Sequence, residues 1–317
     1  MTERIADPAI IGNMINVTEM AAIAAFEYSG CGDEQKADQA AVDAMRTALN
    51  KIQMKGRIVI GEGERDAAPM LFVGEEVGTG DGPEIDVALD PLEGTTLTAK
   101  GLGNALAVLA ISPGGCMLYS PDVYMDKVAI GPGYPENCVS LDETAGDNAK
   151  ALARARGVDV SMISACVLDR PRHEEIIDSL RSAGARVVMI PDGDIAGVIN
   201  TTDPSTRIDM YVGRGGAPEG VLAAAALKCI GGQIEARLHF RNDEEKARAR
   251  RTGITNFNRV YSLDDMIKGE TVFCATGVTR GGLLDGVSYS GDYVETESLV
   301  MTSDDRAIRR IRTRRPI

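Results

Sequence analysis

The chain has 317 residues, 44% hydrophobic and 26% charged, a composition ordinary for a globular protein with a core large enough for two domains. Its 34 basic and 47 acidic side chains give a net charge of 34 − 47 = −13. This argues against nucleic acid as a partner, but a small anion held through a divalent metal remains compatible with it.

The six cysteines are scattered, with no Cys-x-x-Cys and no close pairing with the two histidines, so neither zinc nor a disulfide framework is expected. The N-terminus lacks a basic segment leading into an apolar core, and no run approaches the roughly eighteen apolar residues of a membrane span. A cytoplasmic protein without a signal peptide or membrane span is therefore expected.

Residues 8–28 predict a first helix, apolar along Ile11, Met14, Ile15, Met20, Ala21 and Ala24, broken by Ser29-Gly30-Cys31-Gly32. A second is predicted over 34–53, with Ala37, Ala41, Val42, Met45, Leu49 and Ile52 on one stripe. Asp38 lies in its first turns beside that stripe, where an acid complements the helix dipole. Arg57–Gly61 reads as a strand that releases Glu62 and Glu64 on a glycine-spaced turn, both on one side if the chain stays extended. A solvated acidic loop and a ligand site both fit that pattern.

Ile85–Leu89 alternates as a strand, and Asp90-Pro91 should end it, because proline cannot donate to a continuing ladder. Glu93 follows one turn later, and then Gly94, Thr95 and Thr96, whose amides can face an anion. An oxygen-rich cluster of this kind suits Mg²⁺ or Mn²⁺. A proline turn with capping Asp and Thr fits the same twelve residues equally well.

Strands are predicted over 104–112 and 123–130, with Tyr124 an ordinary strand aromatic and Lys127 a surface charge on the bland reading. Beyond the loop Gly131–Pro135 a domain boundary is expected, dividing the chain into 1–145 and 146–317. From Asp147 helix and strand alternate: 147–156, 161–168, 172–183, 186–190, 195–200, 208–212 and 218–230. That rhythm predicts an α/β sheet with covering helices, whose ligands gather beyond the strand C-termini. Three strands end there in Arg170-Pro171-Arg172-His173, Asp192-Gly193-Asp194 and Gly215-Gly216-Ala217-Pro218-Glu219-Gly220. Surface charges, a turn and a first-turn acid account for each taken singly; all three at one sheet end favour a site. His173 reads as structural. Residues 241–253 read as a charged linker or surface helix, and a β-rich tail ends in the basic stretch 306–315, a solvated final strand.

Asp90-Pro91-Leu92-Glu93-Gly94-Thr95 resembles the signature of the metal-dependent, lithium-sensitive sugar and inositol phosphatases. With Glu in fourth place and Gly61-Glu62-Gly63-Glu64 upstream, it resembles the class II fructose-1,6-bisphosphatases along nearly the whole chain. The resemblance implies a sugar-phosphatase fold of the α/β class with stacked α-β-α-β-α layers. It also implies Mn²⁺ or Mg²⁺ on Asp38, Glu62, Asp90, Glu93 and Glu219, and a water oriented by Thr95 with Asp66. Substrate contacts would come from Glu93, Gly94, Thr95, Tyr124, Arg170, Arg172, Asp192, Asp194 and Gly216, the two arginines holding a distal phosphate.

The implied reaction is hydrolysis of the 1-phosphate of fructose 1,6-bisphosphate to fructose 6-phosphate, and sedoheptulose 1,7-bisphosphate is a second candidate substrate. A homodimer or homotetramer is implied as well. Two departures stand out: Glu34 occupies the place of a lysine, with Lys36 the nearest, and Arg170 occupies the place of another. An inositol-type monophosphatase would have no distal phosphate for the arginines. A non-catalytic sugar-phosphate-binding regulator would not need all five carboxylates and Thr95.

Overall fold

The computed structural model describes residues 5–63 and 70–317. The chain forms two compact units, one of 1–118 with 268–317 and the other of 119–267, so the expected single division at 145/146 is corrected. The reason is pairing: the last fifty residues return as strands to the first sheet.

The first unit opens with α1 (Pro8–Phe26), N-capped by Asp7, and α2 (Glu34–Leu49), N-capped by Asp33. There follow β1 (Lys55–Ile60), β2 (Glu76–Val77), β3 (Glu84–Glu93), the five-residue α3 (Thr95–Ala99) and β4 (Leu106–Pro113). α1 is long and apolar enough to cross a membrane by length and composition alone, at a mean hydropathy of 1.5, although Asn13, Asn16, Thr18 and Glu19 interrupt its apolar run. Here it packs on the sheet and buries Glu19 among its apolar residues.

The second unit begins with β5 (Tyr124–Ile130), followed by α4 (Ala145–Arg156), β6 (Ser164–Leu168), α5 (Glu174–Ala183), β7 (Arg186–Ile190) and α6 (Asp194–Ile199). It continues through β8 (Met210–Gly216), α7 (Ala217–Ile230), β9 (Gln233–His239), α8 (Asp243–Arg251), β10 (Val260–Ser262) and α9 (Leu263–Met266). Its sheet runs β10-β9-β5-β8-β6-β7, with β6 parallel to both β7 and β8, and β5 antiparallel to β8 and β9. The alanine-rich α7 is buried almost throughout, as a helix apolar on every face should be.

The chain then completes the first unit with β11 (Val272–Gly277), β12 (Ser288–Ser290), β13 (Tyr293–Thr302) and β14 (Ile308–Pro316). The order is β12-β13-β11-β4-β3-β1-β2, with β14 along the other side of β13. β11 joins by antiparallel pairing to β4, Val272 opposite Ile111 through Gly277 opposite Leu106. Both sheets mix parallel and antiparallel pairs, and the fold class is α/β as expected.

β3 does not stop at Asp90-Pro91 as expected. It bulges there, Asp90 lying opposite Val108 and Glu93 opposite Leu106, so three steps on β3 match two on β4. A bulge removes the need for the N–H that Pro91 lacks, and Leu92 N–H donates to Asp90 Oδ1 at 3.0 Å instead. The bulge is what turns a buried strand into a carrier of polar groups.

Candidate active-site edges

In the first unit, strand pairing sets three of the expected residues towards one end of the sheet. β1 runs parallel to β3, Ile60 opposite Ala88, so Glu62 leaves the sheet at the same end as Asp90 and Glu93. Asp90 is half-buried and Glu93 nearly closed off, 5% exposed. Gly94 then takes φ 92°, the left-handed region, where a side chain would also strike Leu97. It starts α3 with no side-chain cap.

The glycine turn before α2 is bonded to the far end of α3: Gly30 N–H donates to Thr98 O at 2.9 Å and Gly32 N–H to Ala99 O at 2.8 Å. That tie sets α2, and with it Asp38, beside α3. Burial raises the Asp38 carboxyl above its ordinary range. Lys36, the nearest lysine after the displaced Glu34, is exposed and paired with Asp33 at 2.9 Å. Asp66 and Glu64 lie outside the described residues.

In the second unit, all three expected motifs meet at one sheet end, the C-terminal ends of β6, β7 and β8. The start of antiparallel β5 joins them, Tyr124 standing opposite Gly216 and His239. The residue missed from sequence is Lys127. Far from being a surface charge, it is 1% exposed; its Nζ donates to Asp194 Oδ2 and, at 2.9 Å, to Gly216 O. The signal was present: Lys127 shares strand parity with Met125 and Ala129, so alternation puts it on an apolar face, where an ammonium requires a partner.

Two glycines make room for this cluster. A Cβ on Gly215 would sit 1.8 Å from the Asp194 carboxylate, and one on Gly216 would sit 1.9 Å from that of Glu219. Glu219 lies in the first turn of α7, and its Oε2 is closed to solvent with no hydrogen-bond partner among the described residues. Desolvation raises its carboxyl above the ordinary range, and the charge of Lys127 opposes that rise.

The opposite face of β5 is a guanidinium-rich surface. Arg172 donates through Nε and Nη2 to Arg214 O at 3.0 and 2.8 Å, and its guanidinium carbon lies 5.1 Å from the Tyr124 ring centroid. Arg170 turns elsewhere, its Nη1 donating to Pro191 O at 2.6 Å and its Nη2 standing 3.7 Å from Asp192. Arg214 makes a two-pronged pair with Asp126 at 2.7 and 3.2 Å. His173 is buried and structural as expected: Nδ1–H donates to Leu168 O at 2.8 Å, and Nε2 accepts from Arg214 N–H at 2.8 Å. Those bonds require the neutral imidazole, and burial pushes its pKa down.

The charge set fits a hard cation. All five proposed ligands are carboxylates, and the buried, unpartnered Oε2 of Glu219 is the oxygen a Mg²⁺ or Mn²⁺ ion would satisfy. Among the described residues no three acidic, thiol or imidazole side chains form a metal-holding group by themselves. The cysteines are all free, and the arginines of β14 are drawn to acids, Arg312 to Asp285 and Arg314 to Glu295, as in a solvated strand.

Residues 9–315 match the family described as bacterial fructose-1,6-bisphosphatase, glpX-encoded. Over 311 residues the chain is 44% identical to fructose-1,6-bisphosphatase 1 class 2 of Escherichia coli (strain K12), covering 94% of this chain and 92% of that relative. The same figures hold for fructose-1,6-bisphosphatase class 2 of Escherichia coli O6:H1 and of Shigella flexneri. Among solved structures, the extragenic suppressor protein suhB from Bartonella henselae aligns over 62% of this chain and 73% of its own. Its identity is 13% and its TM-score 0.34, a superposition too slight to argue from.

Proposed function

The chain belongs to the class II fructose-1,6-bisphosphatase family, and from that premise we propose that it hydrolyses the 1-phosphate of fructose 1,6-bisphosphate, releasing fructose 6-phosphate and phosphate. The observation that carries this reading is the extent of the likeness, 44% identity over 94% of the chain to a curated phosphatase of that name. Sedoheptulose 1,7-bisphosphate, which also has phosphates at both ends, is a second substrate on the same reading.

We assign Asp38, Glu62, Asp90, Glu93 and Glu219 as metal ligands. An Mg²⁺ or Mn²⁺ ion bound there would offset phosphoryl charge and lower the pKa of the attacking water. The chain's own groups do the rest. Amides at Gly94 and Thr95 donate to the phosphoryl oxygens, and the Thr95 hydroxyl, with Asp66 as its partner, orients the water. Arg170 and Arg172 hold the distal phosphate, while Tyr124, Asp192, Asp194 and Gly216 fix the sugar. Lys127 holds the Asp194 carboxylate in one orientation, which a merely exposed aspartate would lack.

The same reading takes the enzyme as a cytoplasmic homodimer or homotetramer, a point that light scattering on the purified protein decides. Substituting Asp90→Asn tests the catalytic reading: an enzyme should lose about 100-fold or more in turnover. A sugar-phosphate-binding regulator would show no turnover to lose and would change only in metal affinity. An inositol-type monophosphatase would instead release phosphate from inositol 1-phosphate, which offers nothing to Arg172.

A further inference from the structure

We infer that Arg241, two residues past the end of β9, is a further cation of the distal-phosphate site, pairing with Arg172 across Tyr124; this rests on the bisphosphatase reading above. Its guanidinium carbon lies 5.1 Å from the Tyr124 ring centroid, the same distance as that of Arg172. The two cations are therefore no farther apart than twice that distance, in a chain whose net charge is −13. Glu245 answers the charge of Arg241, whereas Arg172 rests on a carbonyl with no acidic partner among the described residues, so the pair keeps a net positive charge for an anion.

Arg241 is held in place. Its backbone N–H donates to Glu245 Oε2 at 2.7 Å and its Nε to Glu245 Oε1 at 2.6 Å, and Glu245 is 1% exposed. Asn242 caps the helix that carries Glu245, accepting from Glu245 N–H at 2.9 Å. The side chain of Arg241 itself is 56% exposed, and its Nη1 donates to no described residue. Arg172 is fixed in the same manner on Arg214 O and keeps its Nη1 open. Tyr124 adds a hydroxyl for which no described residue serves as partner. Two preset guanidinium forks and a phenol suit a doubly charged phosphate, which accepts several charge-assisted bonds at once. Arg170, committed to Pro191 O, makes no such contact with the ring.

A purely structural Arg241 would only neutralise Glu245, and substrate choice separates the two roles. With Mn²⁺-loaded enzyme, Arg241→Gln should raise KM for fructose 1,6-bisphosphate about tenfold or more with kcat changed much less. The loss in kcat/KM on the bisphosphate should exceed that on fructose 1-phosphate, which lacks the distal phosphate, by about tenfold. Calorimetric binding of fructose 6-phosphate reads the same subsite without turnover and should weaken by a similar factor.

Because Arg241→Gln leaves a buried carboxylate unpaired, the double variant Arg241→Gln/Glu245→Gln is measured beside it and stands in if the single one fails to fold. Equal losses on the two substrates, or unchanged fructose 6-phosphate binding, would overturn the assignment. Wild-type enzyme that binds fructose 6-phosphate but hydrolyses neither ester would overturn the proposed reaction; the binding comparison would then decide Arg241 alone.

Discussion

Glu219 illustrates at the residue scale how a ligand is kept ready at a cost to stability. A carboxyl whose folded pKa is raised contributes fully below its ordinary pKa and loses that contribution as pH rises through the folded value, so at neutral pH Glu219 weakens the fold relative to acid pH. Glu219→Gln should therefore leave the melting temperature of the metal-free protein unchanged or higher, while turnover falls roughly 100-fold. Calorimetry and a phosphate assay on one preparation check both halves; a clear drop in melting temperature would contradict the burial argument. His173 has the opposite sign to follow. Its folded pKa lies below the ordinary 6.5, so its contribution is present above pH 6.5 and declines as pH falls below it. A melting-temperature series through that range should fall on the acid side, and His173→Gln should flatten the fall. Lys127 was legible by parity alone, whereas Arg241 was not, because its role depends on β9 lying beside β5, a long-range pairing no local pattern encodes.

Among the elements, the helices and strands of 147–230 follow their sequence rhythm closely, Arg186–Ile190 being matched residue for residue. β8 runs four residues beyond its expected end at 212, because its pairing with β5 continues to Tyr124 opposite Gly216. That extension carries the two glycines against which Asp194 and Glu219 pack. Adding one methyl group at Gly216 forces Glu219 aside, and at Gly215 it forces Asp194 aside. Gly215→Ala should cost about 1–3 kcal/mol in urea denaturation, the usual range for overpacking, together with most of the activity. A variant of native stability and rate would show that the carboxylate is free to move. The β3 bulge is the other departure from expectation. Proline was rightly read as incompatible with a regular ladder, but a bulge accommodates it as well as a strand end does.

For the whole molecule, two-unit organisation was legible from length but its boundary was not. A linear reading cannot see that β11–β14 close the first sheet, since the partner of Val272 is Ile111, far back in the chain. One consequence is an ion pair joining the two ends: Arg315 on β14 donates to Glu19, whose side chain is fully buried in α1. Breaking a buried pair on one side leaves an uncompensated charge. With Arg315 one-third exposed, Arg315→Met should cost about 2–3 kcal/mol, somewhat below the range for fully buried pairs. Urea denaturation measures this directly, and Glu19→Gln in the same background should recover part of the loss.

The most direct test of the account is phosphate release by the purified protein from fructose 1,6-bisphosphate, set beside inositol 1-phosphate, with Mn²⁺, with Mg²⁺ and with chelator. The account predicts release from the bisphosphate with metal, none with chelator, and none or little from the inositol ester. Release that persists under chelation, or no release from the bisphosphate with either metal, would contradict it.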